Sequence, residues 1–218
     1  MGWLNRASLV LLISLGLLVI ATSASAHPHV WIDLRIKPVM NEQGQLLGLE
    51  QAWRFDPFYS LVLIEELERG GPKAELETRY DQLVIEIVNT LKGVNFFTQG
   101  QSNGLKVSWL AVTEHTLLRV GQRLEFRFLL SLAKPLALDQ QPFSYQIYDP
   151  TYYIEMLHSV TGGLDKSALM VGCSIKLTAP SPSSDLIEKA LALDKNEVAA
   201  DPQLGSYFAE QTTLSCLQ

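Results

Sequence analysis

The clearest pattern along the chain is a strict two-residue alternation over residues 30–37. Val30, Ile32, Leu34 and Ile36 share one face of an extended segment, while Trp31, Asp33, Arg35 and Lys37 share the other. His27 and His29 fall in register with the second set. After the turn sequence Asn41-Glu42-Gln43-Gly44, an apolar face returns at Leu47, Leu49, Trp53 and Phe55, which predicts a β-hairpin. Helical spacing then takes over. Asp56-Pro57 has the chemistry of a helix start, a side-chain acceptor followed by a residue whose missing N–H is not needed there. Phe58, Leu61, Val62 and Leu67 are the expected buried stripe, and Gly70-Gly71 the stop. A second helix follows with Leu76, Tyr80, Leu83, Val84, Ile87, Val88 and Leu91 along one side and Gly93 at its end. Residues 56–93 therefore read as a helical hairpin inserted between strands.

Strand periodicity resumes beyond Leu105. Leu124, Phe126, Phe128, Leu130 and Leu132 alternate, and residues 143–148, 152–157 and 169–177 read as further strands, the last two around Thr161-Gly162-Gly163. The linker Ala179-Pro180-Ser181-Pro182-Ser183-Ser184 offers serines to cap a short helix over 185–193, and residues 207–214 read as a closing strand. The expected class is α+β: an antiparallel sheet or sandwich with the inserted hairpin and a short C-terminal helix, in a single domain over 27–218.

Residues 1–26 have the pattern of a secretory signal: Arg6, an apolar run over 9–20, and the small residues Ala24-Ser25-Ala26. The competing reading is an uncleaved anchor helix, for which that run is short. Cleavage leaves no expected membrane span and makes His27 the first residue of the exported protein. The chain carries 17 Lys and Arg against 23 Asp and Glu, and loss of Arg6 makes it more acidic still. That balance argues against a nucleic-acid partner, whose phosphates need a basic face. In an exported chain the two cysteines, Cys173 and Cys216, are most simply a disulfide. The other reading, a thiolate metal site, needs reduced cysteines and closer spacing.

A histidine at a new amino terminus offers an amine and an imidazole from one residue, and His29 adds a second ring. Such a set chelates Zn, Ni, Co or Cu. A square-planar complex through the amide of the second residue is excluded, because Pro28 has no N–H. Ligands must then come from side chains, with or without the terminal amine: His27 and His29, with Asp33 and Asp149 as oxygen donors and His158 and Asp56 as weaker candidates. The bland alternative is a solvated terminus, with Asp56 a helix cap and Asp149 a turn residue. The chain has no Gly-x-Ser-x-Gly, His-Glu-x-x-His, phosphate loop or Cys-x-x-Cys. That points to binding rather than catalysis.

His27-Pro28-His29-Val30-Trp31-Ile32-Asp33, Trp53-Arg54-Phe55-Asp56 with Tyr59-Ser60, Tyr148-Asp149-Pro150-Thr151-Tyr152-Tyr153, and Phe208-Ala209-Glu210 ahead of Cys216 together resemble the DUF1007 family. The resemblance implies an exported bacterial protein of the periplasm, described as the periplasmic component of an uncharacterised ABC-type transport system. It also implies transition-metal handling beside nickel, cobalt or zinc transporters of the inner membrane. It supplies no catalytic residues. The expectation is a periplasmic metal-binding accessory protein; the alternatives are a metal-independent interaction module and a copper enzyme using an amino-terminal histidine brace.

Overall fold

The alternating segment and its return form the expected hairpin, β1 (Val30–Met40) and β2 (Gln45–Phe55), paired antiparallel from Ile32↔Phe55 to Met40↔Leu46. The computed structural model describes residues 28–193 and 199–216, so the signal segment and His27 lie outside the described residues. At the turn, Asn41 Oδ1 accepts from the Gln43 and Gln45 N–H groups at 3.1 and 2.8 Å, and Gly44 supplies the left-handed residue. Val30, Ile32, Leu34 and Ile36 are all buried, as the alternation requires. β2 departs from expectation at one place. It pairs with β6 (Arg123–Ala137) through an irregularity between Leu46 and Gly48, which turns Leu46 inward instead of Leu47. A side chain at position 48 would meet the Leu130 carbonyl oxygen at 2.5 Å, so only glycine fits.

The inserted helices are α1 (Pro57–Arg69) and α2 (Leu76–Lys92). Asp56 caps α1 by accepting from Tyr59 N at 2.9 Å. The expected stripe on α1 is corrected: Phe58, Leu61 and Val62 are 77%, 52% and 40% exposed, while Ser60 and Ile64 are buried. The reason is polar. Ser60 Oγ donates to the Phe55 carbonyl and accepts from Leu124 N at 3.0 Å, which fixes the rotation of the helix at its first turn. Ser60 and Ile64 are then the buried residues of α1, with Leu63 partly buried against the core. On α2 the stripe holds, with Val84 and Leu91 fully buried.

Asn95, Phe96 and Phe97 all adopt left-handed backbone angles and turn the chain from α2 into β3 (Thr98–Ser102), with Phe96 locked in the core. Two five-stranded sheets result. The first has the order β5 (His115–Val120), β6, β2, β1, β8 (Ile154–His158). His115 opens β5. The second runs β4 (Leu105–Lys106), β3, β7 (Phe143–Ile147), β10 (Gln211–Cys216), β9 (Cys173–Thr178). All pairings are antiparallel except β1 with β8. One buried cluster joins both sheets to the helical hairpin, and every member of the Leu124–Leu132 alternation belongs to it. The short helix α3 (Ser184–Ala192) is capped by Ser183, and Cys173 and Cys216 are direct cross-strand partners joined in a disulfide. The class is α+β, as expected.

Candidate functional site

Three of the motif segments meet at one end of the first sheet. His29 N donates to the Tyr153 carbonyl at 2.9 Å, and the two rings lie 4.7 Å apart. Trp31 exchanges backbone contacts with Asp56: its N–H donates to Asp56 Oδ2 at 3.3 Å and its carbonyl accepts from Asp56 N at 2.9 Å. Asp56 therefore ties the entry of α1 to the start of β1. Tyr59, in the first turn of α1, has its hydroxyl pKa raised by burial and then by the neighbouring Tyr153, Glu66 and Asp56. Trp31, Phe58, Tyr59 and Tyr153 all remain substantially exposed around this end.

The Asp149 segment is a turn built around its carboxylate. Oδ1 accepts from Thr151 N and Thr151 Oγ1 at 2.9 and 2.8 Å, and Oδ2 from Ile154 N at 3.1 Å. Tyr152 takes a left-handed conformation, stacks on Phe208 at 4.1 Å and donates to Glu155 at 3.2 Å. Burial, followed by the Glu155 charge, pushes its hydroxyl pKa well up. Gly205 closes the turn from the other side, its N–H donating to the Pro150 carbonyl at 3.0 Å.

The candidate metal ligands are thus dispersed in role. His29 stands at the aromatic end, and His27 precedes the described residues by one position. Asp33 Oδ2 accepts from Arg123 at 2.6 Å, and the same guanidinium reaches the carbonyls of Arg54 and Phe55, bracing β1, β2 and β6. Asp56 caps and clamps, and Asp149 organises a turn. His158 is buried on the opposite face of β8 from Glu155, away from the outward row of His29 and Trp31. Among the described residues no group of three or more His, Cys, Asp or Glu side chains is disposed to hold an ion.

Two polar constellations were not foreseen. Glu210 Oε2 accepts from both His158 N and Nδ1, at 2.6 and 2.8 Å, and Tyr145 reaches Nε2 at 3.3 Å. Burial favours the neutral Glu210 acid, but the His158 hydrogen bonds outweigh it and hold the carboxyl below its ordinary range. Burial raises Tyr145 strongly. This set of hydrogen bonds fastens β8 of one sheet to β7 and to the residue before β10 of the other. The second constellation is Glu125, 1% exposed, gripped by Arg54 at Oε2 and Arg127 at Oε1, each through Nε at 2.7 Å. Its pKa is opposed by burial yet lowered by both arginines. The signal was visible: Glu125 and Arg127 interleave with Leu124, Phe126 and Phe128, so opposite charges had to share the outer face.

No described helix is long and apolar enough to cross a membrane. The model of DUF1007, described as a protein of unknown function, matches residues 12–216. An uncharacterized protein of Haemophilus influenzae is 32% identical over 199 residues, covering 91% of this chain and 95% of that protein.

Proposed function

We propose that this chain, which belongs to the DUF1007 family, is an exported accessory protein that carries a divalent transition metal for a membrane transporter, gripping it at the His29 end. The carrying observation is the placement of His29: its backbone and ring are fixed against Tyr153 where the chain enters β1. A metal bound through His27 would then find its second imidazole held rather than swinging. Asp33, Asp56 and Asp149 each carry hydrogen bonds that a metal would have to break, so they act as supports and not as ligands. Two imidazoles and a terminal amine leave coordination positions open. An incomplete shell suits an ion that is handed on, whereas a closed four-ligand shell suits an ion that stays. A periplasmic setting fits the disulfide.

The second reading, a metal-independent interaction module, is favoured by the exposed Trp31, Phe58, Tyr59 and Tyr153 at the same end. One titration separates the two. The processed protein should bind Zn, Ni or Cu with micromolar or tighter affinity, lost in the His27→Ala/His29→Ala double variant and retained in Asp149→Asn. Absence of stoichiometric metal in the wild type leaves the interaction module. Binding unchanged in the double variant removes the site assignment.

A further inference from the structure

We infer that the outer face of the first sheet holds a separate binding cleft for a small organic di- or tricarboxylate, seated over Ala52 between Arg35 and Arg127. The cleft has a volume of about 570 Å³, within the range of small-molecule sites. Its floor follows from register. Arg35 of β1 pairs with Ala52 of β2, and Ala52 pairs with Arg127 of β6, so two arginines flank a single methyl group. The neighbouring row on one side holds Arg54 and Glu125, and that on the other side holds Lys37 and Glu50. The far wall is the segment after β8, fastened by hydrogen bonds of 2.9 Å from Ile36 N to the Gly163 carbonyl and from Asp165 N to the Ile36 carbonyl. That wall brings Leu164 and Lys166 over the floor.

The charges are unevenly committed. Glu125 is satisfied by Arg54 and Arg127 together, and the pairing orients the Arg127 guanidinium while leaving that side chain 48% exposed. Lys37 reaches Glu50 only at 3.9 Å. Asp165 turns its carboxylate to Ser167 N at 2.8 Å. Arg35 and Lys166 have no ion pair among the described residues. An otherwise acidic chain thus presents surplus cations around a concave surface, with one guanidinium pre-oriented and another open for bidentate contact. Ala52 and Leu164 supply apolar contact for a carbon skeleton, which favours an organic anion over inorganic phosphate. Arg35 lies six residues along β1 from His29, about 20 Å at a strand's rise, so the cleft stands whether or not the metal reading does.

Calorimetric titration of the metal-free protein with citrate, succinate and inorganic phosphate tests it. Citrate should bind saturably with Kd below about 1 mM at physiological ionic strength, and phosphate should not saturate. Arg35→Gln should weaken citrate binding about tenfold or more. Ala52→Leu, which fills the floor without altering charge, should do the same, and both variants should melt where the wild type melts. No saturable citrate binding would overturn the inference. So would phosphate binding as tightly as citrate, or citrate affinity that survives Ala52→Leu.

Discussion

Replacing Glu210 tests whether the two sheets are fastened through His158. In Glu210→Ala the backbone N–H of His158 and its Nδ1 both lose their acceptor, and the ring is 3% exposed. An orphaned buried donor costs about 1–3 kcal/mol. Glu210 is itself 15% exposed, so water enters the vacated space and the sum falls in the lower half of its range, about 2–4 kcal/mol. For a domain of this size that lowers the thermal midpoint by about 5–15 °C. Glu210→Gln keeps an acceptor oxygen and loses only the charge, for about 1 kcal/mol. The pH dependence separates charge from packing. The folded-state pKa of Glu210 is depressed, so its ionic contribution is complete above the ordinary Glu value of 4.5 and fades as pH falls through the folded value. The wild type should therefore exceed Glu210→Gln by a constant margin from pH 7 down to about 5, and the margin should close at lower pH. Urea unfolding of the three proteins across that range measures all of this. A Glu210→Ala midpoint within about 2 °C of wild type, or a margin that widens in acid, would refute the reasoning.

Two further substitutions act on the segment that closes the described chain. Cys173→Ser/Cys216→Ser should lose about 4 kcal/mol in the chain-entropy model, given the sequence separation of 43 residues, and denaturant midpoints with and without reductant should coincide only in the variant. Gly205→Ala would place a methyl carbon 1.8 Å from the Asp149 carbonyl oxygen. Neither backbone can yield cheaply, so a loss of about 1–3 kcal/mol or more is expected, together with faster hydrogen exchange at Tyr152 and Ile154 but not in the β1–β2 hairpin.

What the sequence made legible was whatever repeats with a fixed period against one buried face. Val30 to Ile36, Leu124 to Leu132 and the stripe on α2 all did so, and Cys173 with Cys216 needed only their number and setting. On α1 the signal failed because a serine, not an apolar residue, decides which side faces the sheet, and the hydrogen bonds of Ser60 span to Phe55 and Leu124. Leu47 was misplaced because a bulge breaks the period that the alternation assumes. The parallel pairing of β1 with β8 depends on a crossing between sheets, for which no local pattern exists. The same applies to Glu210 with His158, 52 residues apart. At the candidate site the meeting of His29, Asp56 and the Asp149 turn came from backbone hydrogen bonds, which side-chain spacing does not encode.

The cross-link between β9 and β10 fastens the last stretch of the described residues. The 3₁₀ turn over Leu204–Phe208 and the strand after it are made after every element they touch, and they carry Gly205, Phe208 and Glu210 against the Asp149 turn, Tyr152 and His158. In a reducing compartment that closing segment is retained by non-covalent contacts alone. The bond between Cys173 and Cys216 adds one covalent tie at the far end of β10 and limits how far that closing segment can part from the Asp149 turn.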